Sequence, residues 1–154
     1  MNAIEQSTAS TSGSAGEYLS FALGDEEYAV EILRVQEIRR MCPLTPVPHS
    51  PAKVCGVMNL RGAVVPVIDM RSALGLPSQD HGKFTVIIVL SLGAKTLGFV
   101  VDKVSDVLSL TANEIERAPE LGGHVDASMI SGIARTQERF VILLDVDRAA
   151  GFDS

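Results

Sequence analysis

The chain has 154 residues, 46% hydrophobic and 21% charged, with a formal net charge of −6. That is enough for one compact domain or for two very small units sharing a core. The acidic balance argues against nucleic acid or an anionic membrane surface as the main partner, and two cysteines do not make a disulfide-rich secreted scaffold.

Residues 1–16 are polar and rich in Ser, Thr, Ala and Gly. They cannot bury enough apolar area to fold, and are expected to form a flexible tail without the apolar core of a signal peptide. No apolar run is long enough to span a bilayer, so a soluble cytoplasmic protein is expected. A single domain is expected over 17–154, with a core that must be aliphatic because aromatics are 5% and Trp is absent.

From Glu17, the residues Leu19, Phe21 and Leu23 alternate with Tyr18, Ser20 and Ala22, which is strand periodicity. Gly24–Glu27 reads as an acidic turn, and Tyr28 and Val30 open a second strand. Ile32, Val35 and Ile38 recur at helical spacing over too short a segment for a helix. We read a helical turn running into a strand, a set more often core than groove. Pro43, Pro46, Pro48 and Pro51 then permit only an irregular path or an edge strand.

The most informative stretch is Val54 to Arg71. Two β-branched runs flank Asn59-Leu60-Arg61-Gly62, where Asn59 and Gly62 can supply the backbone angles of a hairpin tip. Asp69 can cap the helical turn that follows, Leu74-Gly75-Leu76-Pro77 stops it, and Ser78–Lys83 is a polar loop. Phe84–Leu92 is an apolar strand, returned by Thr96–Val101 after a turn at Gly93-Ala94-Lys95. Thr111 to Glu114 fits a capping box. Glu116–Ser128 has no period and reads as a long loop. Ile130–Ala134 and Phe140–Leu144 form another hairpin, followed by a capped helical turn over Asp145–Ala150.

The halves, roughly 17–83 and 84–154, resemble each other. At an offset of 69, Leu19, Phe21, Tyr28, Val30, Val35 and Ile38 fall on Ile88, Leu90, Leu97, Phe99, Val104 and Val107, and Glu37 falls on Asp106. At an offset of 76, Gly56, Val65 and Asp69 meet Gly132, Val141 and Asp145. The seven extra residues fit the long loop. Matching glycines and a matching Asp cap argue for duplication, and many short strands per half suggest two small β-barrels sharing an apolar interface. The paired Gly56 and Gly132, with Gly62 at the tip, are expected to be backbone constraints.

The halves differ at the hairpin tips. Asn59-Leu60-Arg61-Gly62 is a specialised turn, whereas Arg135-Thr136-Gln137-Glu138 is generic. The first tip is the leading candidate for recognition. Against this, Asn59 and Gly62 need only satisfy turn geometry, with Arg61 solvated or paired to Asp69 or Glu37.

The search for enzyme chemistry is negative. There is no phosphate-cradling loop, no Gly-x-Gly-x-x-Gly and no His-Glu-x-x-His, so no cofactor is expected. His49, His81 and His124 lie in loops. Cys42, His49 and Cys55 have the wrong spacing for zinc and lack a fourth ligand, and Cys55 has no neighbouring cation to make it a nucleophile. A small Cys-based redox or zinc protein is the competing class.

The segments Phe21–Ile32 and Val35–Ile38, Thr45–Pro48, the Gly-Val-x-Asn-Leu-Arg-Gly-x-Val-Val-Pro-Val hairpin and Val101–Leu108 resemble the bacterial CheW family of chemotaxis adaptors, from about Glu17 to Gly151. Departures are slight: Met70 stands where the family usually has Leu, and Met58 where it often has Ile. The resemblance implies a mainly all-β fold of two five-stranded SH3-like barrels. It also implies a non-catalytic protein coupling the cytoplasmic tips of methyl-accepting chemoreceptors to the regulatory domain of the histidine kinase CheA, at arrays on the inner face of the membrane. A related adaptor serving another receptor-kinase pathway fits equally. Val35, Glu37 and Arg61 match receptor-facing positions of the family, and Ile38 and Asn59 are added as their neighbours.

Overall fold

The computed structural model describes residues 15–50, 53–77, 80–116, 129–136 and 138–149. Residues 1–14 of the expected tail, the loop residues 117–128, Gln137 and the extreme C-terminus lie outside these, whereas Gly16, expected in the tail, opens the first strand, and Glu116, expected in the loop, ends a short one.

The described chain is almost entirely strand. β1 (Gly16–Leu23) and β2 (Glu26–Glu31) turn at Gly24 and Asp25, and a 3-10 turn (Ile32–Arg34) leads into β3 (Val35–Arg40). β4 (Val54–Leu60) and β5 (Ala63–Asp69) form the central hairpin, closed by α1 (Met70–Ala73). β6 (Val86–Leu92), β7 (Lys95–Val101) and β8 (Lys103–Leu110) follow. A 3-10 turn (Ala112–Glu114), β9 (Ile115–Glu116), the hairpin β10 (Ile130–Thr136) and β11 (Arg139–Leu144), and α2 (Val146–Ala149) complete the order. The expected helical caps form. Asp69 accepts from the Arg71 N–H at 3.0 Å, Asp145 accepts from the Asp147 N–H at 3.1 Å, and the Thr111 N–H donates to Glu114 at 2.9 Å. The first apolar strand of the second half begins at Val86, leaving Phe84 and Thr85 in the preceding loop. β8, the counterpart of β3, continues directly from the return strand through Asp102.

The strands make two sheets, in the orders β3-β6-β7-β5-β4 and β8-β1-β2-β11-β10-β9. Each sheet therefore mixes strands of both halves, so the sequence repeat and the sheet are different units. The duplication is exact in register. Leu19 pairs Val107 as Ile38 pairs Ile88, Gly56 pairs Val67 as Gly132 pairs Leu143, and Val67 pairs Gly98 as Leu143 pairs Ala29. The bulges also coincide, between Leu19 and Phe21 and between Val35 and Glu37. Each first sheet-crossing β pair is antiparallel, while β5–β7 and β11–β2 are parallel.

Three apolar clusters fill the fold. Met58, Leu60, Val65, Val67, Ile87 and Val89 pack on one face of the first sheet. Tyr18, Leu108, Leu110, Val141 and Leu143 pack on the corresponding face of the second. The largest cluster joins the sheets through Leu19, Phe21, Tyr28, Ile68, Ile88 and Phe99. β1 is consequently buried on both faces: Tyr18 and Ser20 are as inaccessible as Leu19 and Phe21. Ser20 is satisfied there by Asp106, donating to its carboxylate at 3.0 Å and accepting from its N–H at 3.2 Å.

Gly56 and Gly132 lie where another segment crosses close above. A Cβ on Gly56 would sit 2.5 Å from the Thr45 carbonyl oxygen, and one on Gly132 would sit 2.8 Å from that of Glu116. The crossing segments are the Pro-rich stretch, bridged at Thr45–Val57, and β9. Among the described residues, the Pro-rich path is thus held to β4 at the Thr45–Val57 bridge.

Candidate functional site

The β4–β5 hairpin has a two-residue tip. Leu60 pairs Ala63, and the residues between them, Arg61 and Gly62, have φ of 53° and 88°. Sequence reasoning assigned the unusual angles to Asn59 and Gly62. The left-handed residue is instead Arg61, while Asn59 stays in the strand opposite Val64 and its side-chain oxygen accepts from the Gly62 N–H at 3.0 Å. A two-residue loop matched to right-twisted strands needs positive φ at its first position, and in the type I′ form at both, and an L-residue there costs about 1–2 kcal/mol. Asn or Gly would meet the geometry more cheaply, so an arginine at this point is a strained residue whose side chain is the reason to look for function.

That side chain is exposed at the tip and donates to Glu37 at 2.8 Å. Of the partners weighed for Arg61, Glu37 is the one it meets. Glu37 stands on β3 and Arg61 follows β4, and these strands are opposite edges of one sheet. The ion pair therefore closes the sheet on itself. The counterpart acid, Asp106, accepts from the Ser20 hydroxyl and lies 3.7 Å from Arg139 at the start of β11.

The register divides the remaining candidates. Val35, Ile38 and Arg40 pair with Leu90, Ile88 and Val86, which are two apart on β6, so the three share one face of β3. Glu37 and Arg39 pair with Val89 and Ile87 on the other face. The tip thus brings together Glu37, Asn59 and Arg61, whereas Val35 and Ile38 form a separate apolar strip. Ile32 and Val35 are half-buried against the joint core, but Ile38 is exposed, which corrects the reading of this set as core. Exposed apolar residues recur in pairs across the duplication, Ile38 with Val107 and Val64 with Phe140, and Leu33 stands fully out on its 3-10 turn.

Sequence reasoning missed the buried ion pair between Arg71 and Asp102. Arg71 Nε and Nη2 donate to the two Asp102 oxygens at 3.1 and 2.6 Å, and Nη1 donates to the Pro77 carbonyl at 3.0 Å. Asp102 also accepts from the Gly24 N–H at 2.8 Å. The guanidinium holds the Asp102 carboxyl below the usual carboxylate range. One bidentate pair thereby ties α1 to the β7–β8 corner and the β1–β2 turn. No sequence spacing signals a contact across 31 residues.

Cys55 is half-buried beside Asp69, and burial together with that carboxylate pushes its thiol up to about 11. A thiol so held is not a thiolate nucleophile near neutral pH. Cys42 packs beside the same apolar cluster. No helix among the described residues is long and apolar enough to cross a membrane.

The CheW-like domain model matches residues 17–151. The chain belongs to the CheW family. Chemotaxis protein CheW of Klebsiella aerogenes is 43% identical over 132 residues, which cover 86% of this chain and 80% of that protein. A probable chemotaxis protein CheW of Rhizobium etli is 40% identical over 131 residues, covering 85% and 84%. The crystal structure of the scaffolding protein TtCheW from Thermoanaerobacter tengcongensis superposes with a TM-score of 0.79 at 29% identity, covering 86% of this chain and 85% of that one. The two-barrel CheW architecture inferred from the repeat is the architecture of the chain, and its family is that of the chemotaxis adaptors.

Proposed function

We propose that this CheW-family chain is a non-catalytic adaptor that couples the cytoplasmic tips of transmembrane chemoreceptors to the regulatory domain of the kinase CheA, working at receptor arrays. The observation that carries the reading is Arg61, kept in a strained left-handed conformation at an exposed hairpin tip. Its bond to Glu37 is a surface ion pair, worth about 1 kcal/mol or less. A carboxylate on an incoming receptor helix can replace Glu37 at little cost, with Glu37 left to accept from the same helix or from Arg39, 3.9 Å away. The apolar stripe of such a helix suits Val35 and Ile38. These contacts are modest, as an assembly that must respond to signals requires, and strength comes from many linked contacts. The other exposed apolar residues, Val64, Val107 and Phe140, suit pairing with a like-folded kinase domain.

The test is reconstitution with receptor-containing membranes, the cognate CheA and labelled ATP. Phosphorylation that rises only with all three proteins present, and falls when receptor ligand is added, supports the reading. A chain that binds neither kinase nor receptor overturns it.

A further inference from the structure

The cations of this acidic chain are distributed unevenly with respect to their partners. Arg34, Arg39, Arg61, Arg71, Arg135 and Arg139 each face a carboxylate. Arg40, Lys83 and Lys103 have no carboxylate within ion-pair distance among the described residues, and all three line one cleft of about 620 Å³. Its apolar lining is Met41, Phe84, Val86 and Val104. Phe84 is 59% exposed, with the Lys83 ammonium 5.4 Å from its ring centre. The loop carrying both is tied down: Thr85 is buried, and its hydroxyl accepts from the Gly82 N–H at 2.8 Å while its own N–H donates to the Gly82 carbonyl at 3.2 Å. The adjoining cleft contains Asp80 and Asp102, but Asp102 is already taken by Arg71 and Gly24.

Three cations without an ion-pair partner among the described residues, set around an apolar floor in a protein of net charge −6, form a site for an anionic group joined to an apolar one. Its place on the strand says what presents that group. Arg40 shares the face of β3 with Val35 and Ile38, so the cleft is the far end of the apolar strip.

We infer that this cleft receives an acidic segment of the receptor tip, one or two carboxylates flanking an apolar side chain that rests on Phe84. The inference rests on the receptor-adaptor reading and adds a second anchoring point to it. Ile38 and Arg40 are two residues apart, roughly 7 Å along a strand, and a helix rises about 5.4 Å per turn. The receptor carboxylate therefore lies one to two turns beyond the apolar residue that contacts Ile38.

The experiment is co-sedimentation of the full chain with membranes carrying the cognate receptor, and separately its binding to the isolated CheA regulatory domain. Wild type is compared with Lys83→Glu/Lys103→Glu and with the milder Lys83→Ala/Lys103→Ala. All these positions are exposed, so melting temperatures should match wild type. Reversing two charges opposite a carboxylate should weaken receptor binding roughly tenfold or more, with a smaller loss for the alanine pair. The wild-type affinity should fall with added salt, and kinase binding should be unchanged. Receptor binding within about twofold of wild type for both variants, against the tenfold expected for desolvated charge pairs, overturns the inference while leaving the adaptor reading intact. A loss confined to the kinase domain also overturns it, because the occupant is then the wrong partner. A wild type that binds no receptor refutes the adaptor reading itself.

Discussion

The Arg71–Asp102 pair makes the sharpest energetic prediction, because its two ends are buried unequally. The Arg71 side chain is 11% exposed and that of Asp102 is 36% exposed. Breaking a buried pair costs about 3–5 kcal/mol when it strands a charge away from water. Asp102→Ala does this to Arg71 and also removes the acceptor of the Gly24 N–H, so we place it at about 3 kcal/mol, the low end because the site opens partly to solvent. Arg71→Met leaves a carboxylate that water can reach and fills most of the vacated volume, so about 1.5 kcal/mol is expected. The double variant strands no charge and should cost about 2 kcal/mol, some 2 kcal/mol or more less than the sum of the single variants. Urea unfolding of the four proteins measures this directly, from midpoints at constant slope. Additivity within about 0.5 kcal/mol, or Arg71→Met costing more than Asp102→Ala, refutes the reasoning. The pH dependence follows the same logic. Because the folded Asp102 carboxyl titrates below its unfolded value, the stabilisation is complete above about pH 4 and drains away as pH falls through the folded pKa. The stability gap between wild type and Asp102→Ala should therefore narrow on acidification.

Three further outcomes are expected. Arg61→Gly should relieve the left-handed backbone and change stability by no more than about 1 kcal/mol in either direction, while Arg61→Glu keeps the fold and abolishes receptor coupling. A melting point that collapses in Arg61→Glu makes Arg61 structural. Gly56→Ala should cost about 2–4 kcal/mol, since its Cβ meets a backbone oxygen at positive φ. Gly62→Ala, with open space around it, should cost only about 1 kcal/mol. Equal costs by chemical denaturation would show that the crossing segment simply moves aside. Tyr28 is fully buried, stacks on Phe21 with ring centres 6.0 Å apart, and its hydroxyl finds no hydrogen-bond partner among the described residues. Tyr28→Phe should therefore be neutral or stabilising by up to about 1 kcal/mol, and a loss of stability in thermal unfolding would mean that the hydroxyl is satisfied after all.

Much of this protein is local and periodic, and that much was legible in the chain. Alternating apolar residues placed the strands, Asp69 and Asp145 marked the caps, and the offset repeat exposed a duplication that the register reproduces residue for residue. The special character of the Asn59–Gly62 tip was also visible, because turn geometry depends on neighbouring residues alone. Tertiary structure decided the rest. Periodicity reports which side of a strand is apolar, not which sheet the strand joins, so the mixing of both halves in each sheet could not be read. Nor could the burial of Ser20 and Tyr18, which follows from β1 lying between two packed layers. The unusual backbone angle fell on Arg61 rather than Asn59 because the pairing of Leu60 with Ala63 sets the length of the loop. The bonds Arg61–Glu37 and Arg71–Asp102, and the gathering of Arg40, Lys83 and Lys103 around one cleft, join residues 20 to 63 positions apart. Such contacts are set by sheet closure and layer packing, which no short window of sequence contains.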